Sequence, residues 1–176
     1  NDTIIRFVNR EPVALLLDIR DKGTMYLERT APSHVKIYYS FKEIDQQKYK
    51  AILIVSPFAY PTILPTIYYR PLALHLGFGC RKKCDPAGIR EYITAQLIRN
   101  SLSPLSVSSI STIELKKDEP VLRLLEKQFP QASFHVYTAE ELQDIKVPNP
   151  SAKVCEVTSV PSVAEAAALK SAKNNR

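Results

Sequence analysis

Cysteine is scarce and unevenly placed in this chain: Cys80, Cys84 and Cys155 are three among 176 residues. A disulfide-stapled secreted scaffold needs a denser, even-numbered set, so the sequence points to a reducing compartment, the cytoplasm. No apolar run approaches the roughly 18–20 residues that a membrane helix requires, and neither a leader nor a lipidation signal is apparent, so no membrane partner is expected. Histidine is sparse too. His34, His75 and His135 are isolated, and Cys80 and Cys84 lack the second pair of Cys or His ligands that zinc would need, so no protein-held metal is expected. The tyrosine-rich part (Tyr38, Tyr39, Tyr60, Tyr68, Tyr69) is separate from the basic part. Nucleic acid, which favours a broad basic stripe with interleaved aromatics, is therefore not expected as a partner.

What remains is ordinary globular material, 45% hydrophobic with a formal charge of +6, enough for one full-sized domain or two small ones. The charge is focused. Residues 77–117 hold seven Lys or Arg against three acids, which favours a local anion site over a diffuse basic coat.

Val13–Ile19 and Ala51–Ser56 are short continuous apolar runs, as strands buried on both faces of a parallel sheet should be. Val35–Tyr39 reads as another strand, and the spacing of Phe41, Ile44 and Lys48 predicts a short amphipathic helix over Phe41–Tyr49. Pro57, Pro61, Pro65 and Pro71 punctuate a loop-like region with short extended pieces. The expected fold is α/β, with strands and helices alternating around a largely parallel sheet. Two small units, residues 1–70 and 71–176, are joined by the Pro-rich segment.

In the second unit Leu72–Phe78 reads as a strand, and Asp85-Pro86 as the N-cap and first position of a helix with Ile89, Tyr92, Ile93 and Leu97 as its buried stripe. Ser109–Leu115 and Ser133–Tyr137 read as strands. Pro120 opens a helix with Val121, Leu122, Leu125 and Phe129 on one face. Thr138 with Glu141, and Ser162 with Glu165, have the three-residue spacing of capping boxes.

The stretch L-A-L-H-L-G-F-G-C-R-K-K-C, residues 72–84, joins the strand to the helix through two glycines and three cations. Glycines admit close backbone approach, a helix start offers unpaired N–H groups, and Arg81, Lys82 and Lys83 add charge, so a phosphate or carboxylate ligand fits. Gly77 and Gly79 serve such a ligand or merely shape the turn. They do not complete a dinucleotide fingerprint, because Lys82 stands where the third glycine belongs. Arg81 is the preferred anchor, since its planar fork holds a carboxylate through two bonds. Cys80 is a small buried side chain or, less simply, a thiol activated by nearby cations. Lys116, Asp118 and Glu119 follow a strand end, where α/β folds gather functional side chains. There Lys116 faces the ligand and the acids hold the turn. Ser162 is explained by capping alone.

Four blocks then occur in order: Gly77-Phe78-Gly79-Cys80-Arg81, Thr112-Ile113-Glu114-Leu115-Lys116 with Asp118-Glu119-Pro120, Ala139-Glu140-Glu141-Leu142, and Pro161-Ser162-Val163-Ala164-Glu165-Ala166-Ala167. Over residues 74–172 the chain resembles the C-terminal domain of the cobalamin biosynthesis G family, the cobalt-precorrin-5A hydrolases of the anaerobic vitamin B12 pathway. The K-K-C after Arg81 departs from that family's usual small or polar residues. Residues 1–70 resemble its middle region, and the chain, starting at Asn1 without Met, reads as a fragment. The resemblance implies a hydrolase that opens a ring-fused lactone and releases acetaldehyde, with cobalt carried by the substrate. It implies a polycarboxylate tetrapyrrole partner met by Gly77, Gly79, Cys80, Arg81, Thr112, Lys116, Glu119 and Ser162. Other cobalamin enzymes and further copies of the chain are expected neighbours. No catalytic base is identified. The alternatives are a non-catalytic corrinoid carrier like the family's stand-alone aerobic-pathway homologue, and an unrelated nucleotide-binding domain.

Overall fold

A computed structural model describes residues 2–174; the expectations that rest on Asn1 and on residues 175–176 lie outside them. The chain divides into two compact units, residues 1–71 with 101–103, and residues 72–100 with 104–176.

The first unit is built on a four-stranded, all-parallel sheet of order β2-β1-β3-β4. Helix α1 (Asp2–Val8) precedes β1 (Val13–Leu17), α2 (Lys22–Thr30) leads to β2 (Val35–Tyr38), and β3 (Ala51–Val55) and β4 (Thr66–Tyr69) follow. Every residue of β1 is buried, which is why its sequence shows no alternation. Ala14, Leu16, Ile52 and Ile54 pack on one face with Ile44 and Tyr49, while Leu15, Leu17 and Val55 pack on the other. Full burial of each Val or Leu contributes roughly 1.5–3 kcal/mol relative to exposure.

Phe41–Tyr49 is not the single helix that its spacing predicts. It forms two 3₁₀ turns, Phe41–Glu43 and Gln46–Lys48. Ile44 is extended between them, and the Asp45 carboxylate accepts from the Gln47 N–H at 3.2 Å, a local bond that competes with helix continuation. Within the Pro-rich stretch, Thr66–Tyr69 pairs in register with β3, bracketed by Pro65 and Pro71, which end it on both sides.

The second unit has a three-stranded parallel sheet of order β5-β6-β7: β5 (Leu74–Gly77), β6 (Val107–Ile113) and β7 (Ser133–Tyr137). Helix α3 (Ile89–Arg99) follows β5, α4 (Pro120–Gln128) follows β6, and α5 (Ala139–Gln143), α6 (Ala152–Thr158) and α7 (Val163–Asn174) follow β7. Val121, Leu122, Leu125 and Phe129 are buried as their spacing predicts. Ile113, Tyr137, Leu142, Val160, Val163, Ala166 and Ala167 form the core beneath α7.

Helix α3 departs from its predicted start. Asp85 makes a local turn, accepting from the Ala87 N–H at 2.9 Å, and Gly88, at φ 72°, occupies the N-cap in the left-handed region, so the helix begins three residues late. Its stripe is shallow: Leu97 is buried, whereas Tyr92 is 63% exposed. The Thr138–Glu141 capping box forms, but the box predicted at Ser162 does not. The Glu165 carboxylate instead accepts from the Asn149 N–H (2.9 Å) and Nδ2 (2.8 Å). No helix among the described residues is long and apolar enough to cross a membrane.

Candidate functional site

Because β5, β6 and β7 are parallel, their carboxyl ends lie along one edge of the sheet, where α/β proteins place ligand sites. The glycine turn leaves β5 at that edge. The Phe78 N–H donates to the Ser111 carbonyl at 2.7 Å, and the Thr112 hydroxyl donates to the Phe78 carbonyl at 2.8 Å. Thr112 is buried, with its hydroxyl taken up in holding the turn.

The two glycines differ. A Cβ at Gly77 would collide with the main-chain carbonyl of Ala164, whereas one at Gly79 would meet only ordinary contacts, 3.8 Å from Ala164 Cβ. Neither has a positive φ. Gly77 is therefore required by the close approach of α7 to β5, and Gly79 marks the open side of the same approach. The start of α7 thus lies against the turn that carries Arg81.

This helix end is uncapped. The main-chain ladder opens with the Ala166 N–H donating to the Ser162 carbonyl at 3.0 Å, and the half-buried Ser162 makes no side-chain hydrogen bond among the described residues. Its acid partner is turned away to Asn149. The first N–H groups of a helix have no intrahelical acceptor, and here no side chain among the described residues supplies one.

Beyond Gly79, the Arg81, Lys82 and Lys83 side chains are exposed and form no ion pair among the described residues. Lys83 adopts a left-handed conformation, φ 55°, and its N–H donates to Glu119 Oε2 at 2.9 Å. Glu119 sits at the N-cap of α4 without capping it. Its carboxylate reaches across to fix the basic loop, and Lys116 Nζ lies 3.9 Å from its Oε1. Burial pushes the Cys80 thiol up from its ordinary pKa, Glu119 adds to this, and Lys116 opposes it. Cys80 is thus a half-buried thiol whose surroundings do not activate it as a nucleophile.

The structure therefore brings Gly77, Gly79 and Cys80 of the turn into one neighbourhood with the start of α7, and joins Lys116 and Glu119 to that loop. Arg81 is exposed on that loop, and the Thr112 hydroxyl holds the Phe78 carbonyl at its start. The Lys83–Glu119 and Asn149–Glu165 links had no signal in the sequence, since each joins residues far apart along the chain. His75 and His135 are held within the sheet by Ser109 (2.7 Å) and Ser133 (2.9 Å). Among the described residues no three His, Cys, Asp or Glu side chains converge as metal ligands.

Comparison with known proteins adds two family matches: residues 74–176 match the family described as cobalamin synthesis G C-terminus, and residues 1–71 the cobalamin biosynthesis central region. The chain is 30% identical over 167 residues to a cobalt-precorrin-5A hydrolase of Priestia megaterium, covering 92% of this chain and 44% of that protein. It thus spans less than half the length of that curated relative. Among solved structures it is similar to CobE, a protein from the cobalamin (vitamin B12) biosynthetic pathway. That likeness has a TM-score of 0.52 and 31% identity, over 60% of this chain and 76% of that one.

Proposed function

The chain belongs to the cobalamin biosynthesis G family, and from that premise we propose that it forms the tetrapyrrole-binding part of a cobalt-precorrin-5A hydrolase. The single observation that carries the proposal is the uncapped start of α7 seated against the Gly77–Gly79 turn, followed two residues later in the chain by the exposed Arg81, which forms no ion pair among the described residues. Helix N–H groups and a free guanidinium make a seat for carboxylate. A corrinoid precursor rimmed with acetate and propionate side chains offers several such groups, and its cobalt belongs to the substrate.

The reaction in this reading is hydrolytic. Water adds to the carbonyl of the ring-fused lactone and its acyl C–O bond breaks, leaving a carboxylate and a hydroxyl on the two-carbon fragment. That hydroxyl loses its proton to become the aldehyde carbonyl as the carbon–carbon bond to the macrocycle breaks, the macrocycle takes up a proton, and the fragment departs as acetaldehyde. N–H donors near that carbonyl would stabilise the oxyanion formed as water adds. The surroundings of Cys80 do not activate it for covalent attack, which is consistent with water as the nucleophile. Glu119, held by the Lys83 N–H and Lys116, organises the basic loop. A cytoplasmic location accompanies this reading.

Acetaldehyde release from cobalt-precorrin-5A, followed through an NADH-linked alcohol dehydrogenase, tests the reaction. Release that depends on the protein supports the hydrolase. Tight corrinoid binding without release would identify a carrier instead.

A further inference from the structure

The first unit carries a second constellation that the tetrapyrrole reading does not use. The residues that immediately follow its four strands are Tyr39 after β2, Asp18 after β1, Ser56 after β3 and Arg70 after β4, aligned in that order along the carboxyl edge. From β1 the chain turns to β2 on one side, and from β3 to β4 on the other. The crevice between β1 and β3 is therefore the topological switch point, where open α/β sheets bind ligands.

Asp18 stands at that crevice with one oxygen engaged. Ser56 Oγ and Tyr60 Oη both donate to Asp18 Oδ2, each at 2.5 Å, while Oδ1 makes no hydrogen bond among the described residues and is not a buried unpaired atom. The groups that hold Asp18 are themselves fixed. Ser56 Oγ accepts from the Phe58 N–H at 2.9 Å, and Arg70 donates to the Ser56 and Phe58 carbonyls at 3.0 and 2.6 Å. Tyr60 stacks on Phe41 with centroids 4.5 Å apart, and its main-chain N–H and carbonyl both bond to the Tyr68 hydroxyl. Burial and the Asp18 carboxylate push the Tyr60 hydroxyl up to about 12, so it remains a donor.

The chemistry of the ligand follows from what the crevice offers and what it withholds. An anion seat at the start of α2 is closed, because Asp21 accepts from the Thr24 N–H and Thr24 Oγ1 accepts from the Asp21 N–H, both at 2.8 Å. Arg20 is paired with Glu28 at 3.0 Å and Arg70 lies over the Tyr68 ring at 3.9 Å, so neither offers an unengaged charge to an anionic ligand. What remains open is a fixed acceptor, Asp18 Oδ1, on the same strand edge as the exposed Phe58 ring; the Tyr39 ring carries the Arg20 guanidinium over its face, 5.0 Å from the centroid.

We propose that this crevice binds a neutral polyhydroxyl ring of the ribose or hexose kind, whose hydroxyl donates to Asp18 Oδ1. The site is independent of the tetrapyrrole reading and survives its failure.

Amide resonances of the ¹⁵N-labelled chain, titrated with D-ribose, adenosine and 2′,3′-dideoxyadenosine, test it. Adenosine should give saturable shifts at Ser56, Phe58 and Tyr60. Dideoxyadenosine, lacking the diol, and the Asp18→Asn variant should each weaken binding by about tenfold or more. No saturable shift with ribose or adenosine overturns the proposal, as does equal binding of the dideoxy compound or by Asp18→Asn. Should Asp18→Asn fail to fold, Tyr60→Phe decides. It keeps the ring on Phe41 and removes one tether of Asp18, so weaker adenosine binding is expected and unchanged binding overturns the site.

Discussion

The main-chain carbonyl of Ala164 occupies the space that a Cβ on Gly77 would need. The lack of a side chain at Gly77 is what allows the start of α7 to sit against the end of β5, and backbone rather than a flexible side chain would have to move to admit one. Gly77→Ala should destabilise the second unit by about 1–3 kcal/mol, as overpacked sites do. Gly79→Ala should stay within about 0.5 kcal/mol. Urea unfolding of both variants checks this, and equal stabilities would contradict the packing argument.

The two predicted capping boxes separate under mutation. Thr138 accepts from the Glu141 N–H at 3.2 Å and Glu141 returns a bond to the Thr138 N–H at 2.9 Å, so Thr138→Ala should cost about 1 kcal/mol. Ser162 makes no such bond. Ser162→Ala should leave the melting temperature unchanged, and a loss comparable to that of Thr138→Ala would show that Ser162 caps α7 after all.

These elements show what was legible in the sequence and why. The apolar runs of β1 and β3 announced strands buried on both faces, and Pro120 with its apolar stripe announced α4, because each signal is local and agrees with the tertiary packing. The 3₁₀ turns over Phe41–Lys48 carry apolar residues at helix-like spacing, yet Ile44 and Tyr49 reach the core from turns. Spacing alone does not distinguish the two. Helix α2 carries no such local signal, since it opens on Lys22, Gly23 and Thr24 and its Met25, Tyr26 and Leu27 are consecutive rather than spaced along one face. At the site, the glycine turn and Arg81 were visible as a motif. The diversion of Glu165 to Asn149 and the reach of Glu119 to Lys83 were not, since both depend on where the chain returns.

The environment of Cys80 gives a signed prediction. Burial and Glu119 raise its pKa while Lys116 lowers it. Glu119→Gln should therefore speed iodoacetamide labelling of Cys80 near neutral pH by increasing the thiolate fraction, and Lys116→Gln should slow it. Both variants are read against the exposed Cys155. Opposite changes would contradict the assignment of neighbours.

His75 sets a pH dependence. Burial, then the nearby His135, lowers its pKa below the ordinary 6.5, so the unfolded chain binds this proton more readily than the folded one. The contribution to stability is complete above the ordinary value and falls as pH drops below it towards the folded value. Unfolding midpoints of the second unit should decline in that acid window, and less steeply in His75→Asn. Identical pH profiles for the two proteins would contradict this.

The most direct measurement is an absorbance titration of the chain with a cobalt-containing precorrin, in wild type and Arg81→Ala, at low and high salt. Saturable binding that weakens with salt is expected. Arg81→Ala should lose about 1.5–3 kcal/mol, roughly 10- to 150-fold, with unchanged melting. Binding of equal strength by the variant, or no binding by the wild type, would contradict the placement of substrate carboxylates at the Gly77–Arg81 turn.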